Sequence, residues 1–359
     1  MNKKERRSGI ELLRIIAMLM IVSCHFAQHV PWTFDGLSFN HWWVKVLLSL
    51  GQTGVAIFFM ITGYFMATQR SFCWKRIFVI LRPLWFYSLV FTGISLVTKY
   101  LESSGWPLGQ KESSLLFPFL TNAYWFIGSY IGLVLLLPFL RKWFDVLQDK
   151  EIAELLGIIV LFTCISPLIN FLISSNPFAL FSITLPILYA LIGYAINRFE
   201  DKIECVAWSI IGAMLGGGML LGGPIMTKVL EKISYSNIPP NLFWGLESIP
   251  CLLLSVSLFI IFSRIRFTNK LVNAVAKLMF GIYLIHSNIW MRNWLWSGKG
   301  YLNPAAHSFD GKLQFLLYSV KTVLLVFVVC AIIEFLRQQA TRLFLKLCTI
   351  DREYDIMKL

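Results

Sequence analysis

GIELLRIIAMLMIVSCHFAQ, residues 9–28, decides the fold class. As a helix, this stretch rises about 30 Å, the thickness of a bilayer's hydrocarbon core. It nevertheless carries Glu11, Arg14 and His25. Ionisable side chains are expensive in hydrocarbon, so each marks a functional site by default. Arg14 and His25 are eleven positions apart. At ~100° per residue they return to within ~20° of the same helix face, ~16 Å apart along the axis. Glu11, three residues before Arg14, is placed to pair with its guanidinium. An imidazole aligned with an arginine in an apolar helix points to acid/base chemistry within the membrane. The segment is not expected to be a cleaved signal peptide. It is long and charged, and Cys24-His25-Phe26 offers no small-residue exit.

The rest of the chain repeats the apolar theme. Of its 359 residues 57% are hydrophobic and only 14% charged, against about 25% charged in a soluble domain. The pattern predicts an all-α polytopic membrane protein of about ten helices in one bundle. They are expected at 9–28, 44–68, 77–99, 122–140, 152–173, 178–197, 205–223, 242–262, 271–291 and 315–336. Nine or eleven helices are the alternatives. A single integral-membrane domain, 1–359, with no separate soluble domain follows. The longest external connections fall at 99–121, 296–314 and 228–241, and they are rich in Gly, Pro, Ser and aromatic residues.

A net charge of +13 raises the question of nucleic acid. Its distribution argues against that partner. With ten helices and a cytoplasmic N-terminus, most of the 32 Lys and Arg fall on the inner side, in clusters such as Arg6–Arg7, Lys75–Arg76 and Arg264–Arg266. This is the positive-inside asymmetry, and it predicts both termini in the cytoplasm. The remaining charge suits a polyanionic substrate or anionic lipid. The seven cysteines are scattered without a CxxC pair, so neither disulfides nor a metal site is expected.

Four motifs, in order, resemble a known family. GIELLRIIA (9–17) followed by His25 is similar to the opening helix of the membrane-bound acyltransferase-3 family, whose members carry Arg or Lys, ten residues, then His. GVAIFFMITGY (54–64) resembles its second-helix signature. Tyr124-Trp125-Phe126, with Pro138 beyond, resembles its fourth-helix pattern, and GIYLIH (281–286) a late-helix pattern. The resemblance implies acyl transfer from cytoplasmic acyl-CoA, usually acetyl-CoA, to a hydroxyl of a bacterial surface or lipid-linked sugar. It implies His25 as the catalytic residue and Arg14 as its companion, in the bacterial inner membrane. The chain departs from the family at two points. Ala56 stands where many members have an acid. Arg76 is followed at the third position by Val79 instead of a second arginine, with Arg82 further on.

The residues themselves are consistent with this chemistry. A hydroxyl attacking a thioester needs a base, and imidazole titrates near neutrality. No serine or cysteine nucleophile stands out beside a base, so direct transfer with His25 as general base is favoured over an acyl-enzyme. Arg14 either binds the donor or stabilises the oxyanion, or it snorkels beside Glu11. Lys75, Arg76 and Arg82 form a basic cluster suited to the phosphates of CoA; positive-inside anchoring is the plainer role. Tyr124, Trp125, Glu247 and His286 are candidate contacts to the acceptor, against interfacial or packing roles. Two rival functions remain open: a transporter or flippase of lipid-linked sugars, which calls for intramembrane acids or broken helices, and a polysaccharide polymerase.

Overall fold

The computed structural model describes residues 7–66, 74–101, 124–165, 185–203, 206–233, 242–296 and 302–356, with side chains at all of these except 66, 74–76, 98–101 and 345–356. The described chain is helical, with no strand. The helices are α1 (Ser8–His29), α2 (Phe39–Met66), α3 (Trp74–Leu101), α4 (Trp125–Val146), α5 (Asp149–Val160) and α6 (Leu185–Arg198). They continue with α7 (Val206–Lys232), α8 (Ile249–Arg264), α9 (Lys270–Val275), α10 (Met279–His286), α11 (Ile289–Trp296) and α12 (Lys312–Ile356). Six of them, α1, α2, α3, α4, α7 and α12, are long and apolar enough to cross a membrane. Helix α8 is apolar but shorter.

The expected boundaries shift in instructive ways. The segment expected at 271–291 is not one helix: it is α9, a short 3₁₀ turn, α10 and α11, with a break at Ser287–Asn288. The helix expected from 242 begins at Ile249, where Ser248 accepts a hydrogen bond from the Cys251 amide and Pro250 sits in the first turn. Both are ordinary helix-start devices. Helices α7 and α12 run past their expected ends. The expected segments 152–173 and 178–197, and the loop 99–121, lie partly outside the described residues.

Helices α1 and α2 form the centre. Two glycines let their backbones approach: Gly51 faces Cys24, and Gly54 faces the Ala17 carbonyl. Gly63 and Gly193 do the same between α2 and α6, where Gly63 abuts Ala190 and Gly193 abuts Met60. Without a hydrophobic drive between helices in lipid, close backbone approach through small residues supplies the packing. The glycines of the second-helix motif therefore have a structural reason. Helices α3, α4 and α7 expose broad apolar faces, including Phe78, Leu89, Phe139, Trp208 and Leu215, as lipid-facing helices do.

One end of the bundle gathers polar groups. The Arg7 guanidinium donates to the Glu200 carboxylate and to the Tyr64 hydroxyl, and Tyr64 donates to Glu200 at 3.0 Å. Arg264 donates to the Glu200 and Ile203 carbonyls. Asp149 pairs with Arg198 and Lys202. The start of α1 and the ends of α2, α4, α6 and α8 thus share this end. At the opposite end, Asn40 donates to the Ser308 and Asp310 carbonyls, tying the segment after α1 to the one before α12.

Candidate active site

Helix α1 carries His25 and His29 one turn apart, with ring centroids separated by 5.3 Å. On the other side of His25 lies His286, at 4.9 Å and tilted by 46°. His286 is the last residue of α10, completely buried. Its Nδ1 is 2.6 Å from the Ile282 carbonyl oxygen. A carbonyl only accepts, so this nitrogen carries the hydrogen and Nε2 is the bare acceptor. Among the described residues that buried Nε2 has no hydrogen-bond partner.

The helix stops beside this ring for a local reason. Asn288 caps α11: its Oδ1 accepts the Trp290 amide at 3.0 Å. Its Nδ2 donates to the Tyr124 hydroxyl at 3.0 Å, and Tyr124 donates to the Leu284 carbonyl, also at 3.0 Å. Tyr124 and Asn288 are both buried. The groups freed by the break are thereby satisfied by side chains, which an apolar environment demands. Ser287, in the break, places its hydroxyl 3.4 Å from His25 Nδ1. Arg292, one turn into α11, is half-buried and close enough to His25, His29 and Tyr124 for its charge to act on them. Among the described residues, no group of three or more His, Cys, Asp or Glu side chains is arranged to hold a metal.

Of the residues singled out from sequence, His25, Tyr124 and His286 come together here. The expectation that no serine stands beside the base is corrected: Ser287 does, brought there by a helix break that apolar periodicity does not show. Trp125 departs from its neighbour, since it is exposed on α4 while Tyr124 points inward. Glu247 belongs elsewhere, its charge acting on Cys164, Tyr189 and Cys251. Arg14 pairs with the buried Glu11 at 3.0 Å and keeps 22% of its side chain exposed. Arg82 is exposed on α3, just before the buried Pro83. The side chains of Lys75 and Arg76 lie outside the described residues.

Four site groups were not singled out from sequence. His29 falls one residue past the apolar stretch, although its i+4 spacing from His25 was available. Ser287 and Asn288 read as two polar residues inside an apolar run, and Arg292 as an interfacial cation. A second polar cluster was also missed. Glu334 of α12, 2% exposed, accepts from Tyr87 of α3 at 2.6 Å and from Arg337 through two bonds of 2.7 Å. Its carboxylate occupies the space that the absent side chain of Gly281 leaves on α10.

Comparison with protein families supplies the chemical class. The family model described as an acyltransferase domain matches residues 7–335, nearly the whole chain. The chain belongs to membrane acyltransferase family 3. No match was found among curated proteins or among solved structures. The family match spans α1 through the first half of α12, so the histidine cluster and Glu334 itself lie within the acyltransferase domain.

Proposed function

We propose that this acyltransferase moves an acyl group, in the first place acetyl, from acyl-CoA to a hydroxyl of a surface or lipid-linked sugar, with His25 as general base. One observation carries it: in an acyltransferase chain, the half-buried His25 stands among His286, Ser287 and Arg292 near the end of α1. As the acceptor oxygen attacks the thioester carbonyl, His25 takes its proton. The new C–O bond forms, the C–S bond breaks, and the imidazolium returns the proton to the departing CoA thiolate. The positive charge of Arg292 suits the oxyanion that forms between these steps.

Depth matches the donor's shape. His25 lies ~24 Å along α1 from Gly9, and Arg14 lies ~16 Å below it. CoA carries phosphates at one end and the thioester at the other, joined by an extended arm. Arg14, Lys75, Arg76 and Arg82 are proposed to bind the phosphate end, and Tyr124 and Trp125 to face the acceptor; Glu247 is placed elsewhere and His286 is held beside His25. The Arg7 end of the bundle is then cytoplasmic, and the chain makes ten passes of the bacterial inner membrane with both termini inside. Four of these passes are short or interrupted: α5, α6, α8 and the α9–α11 series. The acceptor enters from the bilayer or from the opposite face. A broken helix also suits a transporter, but here the break is sealed by Tyr124 and Asn288, and the family match favours transfer.

The test is acetyl-CoA binding and hydrolysis by the purified protein, with His25→Ala and Arg82→Ala beside wild type. Binding that survives His25→Ala while turnover falls about 10²–10⁴-fold, and that weakens in Arg82→Ala, supports the proposal. No CoA binding by any variant overturns it in favour of a transporter or polymerase.

A further inference from the structure

The bare Nε2 of His286 is a buried acceptor with no partner beside the proposed base. An unmet acceptor in a water-poor core is costly, so its presence beside His25 calls for a use. His25 has a matching need. For Nε2 of His25 to be the base, Nδ1 must carry the hydrogen and hold it toward an acceptor. The hydroxyl of Ser287 is 3.4 Å away, beyond the usual N–H···O range. Its chain neighbour His286 offers another acceptor, with the two ring centroids at 4.9 Å. Rings at that separation can place a nitrogen of each within hydrogen-bonding reach.

We propose that His286 is the positioning residue of His25. Its Nε2 receives the Nδ1 hydrogen of His25, which fixes the His25 tautomer, turns Nε2 of His25 toward the acceptor, and steadies the imidazolium formed during transfer. The bond between Nδ1–H of His286 and the Ile282 carbonyl makes this possible. It locks His286 as an acceptor and leaves no neutral alternative. The arrangement has the logic of a histidine held by a carboxylate in hydrolase triads, with a neutral imidazole in the third place, which adds no net charge to hydrocarbon. The other groups acting on His25 are the ring of His29 on its own helix and the guanidinium of Arg292 on α11. Tyr124 of α4 acts on Arg292. Of these, the Arg292 guanidinium cannot accept a hydrogen bond, and His29 stands one turn away on His25's own helix.

The catalytic consequence rests on the proposed function; the pairing itself does not. Two measurements keep them apart. The first is the pH profile of kcat/KM for acyl transfer. The second, which needs no turnover, is the pH dependence of His25 carbethoxylation by diethyl pyrocarbonate, read by mass spectrometry of the His25 peptide. Both are made on wild type, His286→Leu, His286→Gln and Ser287→Ala, with His286→Met replacing the leucine variant if that fails to fold.

The expected result for the apolar variant is a loss of about tenfold or more in kcat/KM. Its acid limb and its carbethoxylation midpoint both move to lower pH by about half a unit or more, because the imidazolium has lost its acceptor. His286→Gln, whose amide oxygen accepts, retains most of both, and Ser287→Ala leaves the carbethoxylation midpoint near wild type. Loss of activity with neither midpoint moved makes His286 merely structural and overturns the proposal. Abolition by Ser287→Ala overturns it too, in favour of a serine acyl-enzyme. A midpoint that moves in a protein that transfers nothing leaves the pairing standing and removes the transferase function.

Discussion

The chain holds two glutamate–arginine pairs of the same spacing inside apolar helices, and they are built differently. On α1, Glu11 meets Arg14 three residues later at 3.0 Å, and the arginine retains 22% of its side chain at the surface. On α12, Glu334 meets Arg337, also three residues later, through two bonds of 2.7 Å. That carboxylate also takes hydrogen bonds from Tyr87 and Gln338, and it packs where Gly281 has no side chain. The Arg337 guanidinium in turn lies over the rings of Phe86 and Tyr87. The second pair joins α3, α10 and α12 and has its capacity used up. Among the described residues the first leaves Arg14 one ion-pair partner and spare donors. Identical spacing therefore yields a fastener in one helix and an available cation in the other.

Removing a partner from each pair tests that difference, and the largest effect is expected at the fastener. Glu334→Ala leaves the half-buried Arg337 without its carboxylate and should destabilise the fold by up to about 3 kcal/mol, read as a lowered unfolding transition in detergent. If Glu334→Ala melts like wild type, the two pairs do not differ as described. Arg14→Gln should act the other way round. Its unfolding transition should stay near that of wild type, because the side chain is partly solvated, while acetyl-CoA affinity falls about tenfold, the equivalent of 1.4 kcal/mol.

Smaller effects sharpen the comparison. Tyr87→Phe removes one hydrogen bond from a carboxylate that keeps two other partners, so about 1–2 kcal/mol is expected in the same melt. A third, more exposed glutamate–arginine pair is Arg7–Glu200 at the solvated end of the bundle. Burial pushes the Glu200 carboxyl up, but hydrogen bonds from Arg7 and Tyr64 outweigh it and hold the group below its ordinary range. Its contribution is therefore present above the unfolded carboxylate value, near 4.3, and lost as pH falls through the lower folded one. Exposure limits it to under about 1 kcal/mol. Below pH 4 the melting difference between wild type and Glu200→Gln should close.

The long, uniformly apolar helices were legible in the sequence because composition alone fixes them. So was His25, since an imidazole in hydrocarbon announces itself. The break after His286 was not. IYLIHSNIWM (282–291) carries only three polar residues, and periodicity cannot tell a polar residue within a helix from one that ends it. Asn288 was the usable signal, being a strong helix-capping type, but its effect depends on Tyr124 arriving from 164 residues away to satisfy what the break exposes. Glu334 was visible as an intramembrane acid. Its partners were not, because Tyr87 and Gly281 meet it only in three dimensions. Helices α5 and α6 fall within or beside the segments expected at 152–173 and 178–197, and α2 encloses α6 through Gly63 and Gly193.

The sealed break has a consequence for how the protein is made. Chains emerge from the ribosome N-terminus first, at roughly 5–20 residues per second. His25 and Tyr124 are therefore already in the bilayer when residues 279–296 are synthesised. A helix interrupted at mid-course is a poor passenger in lipid on its own, yet this one meets waiting hydrogen-bond partners as it inserts. The histidine cluster is closed only by this late segment. Until Asn288 docks on Tyr124, a nascent chain displays His25 and His29 on α1 without His286, Ser287 and Arg292, so the cluster is assembled only when nearly the whole bundle exists.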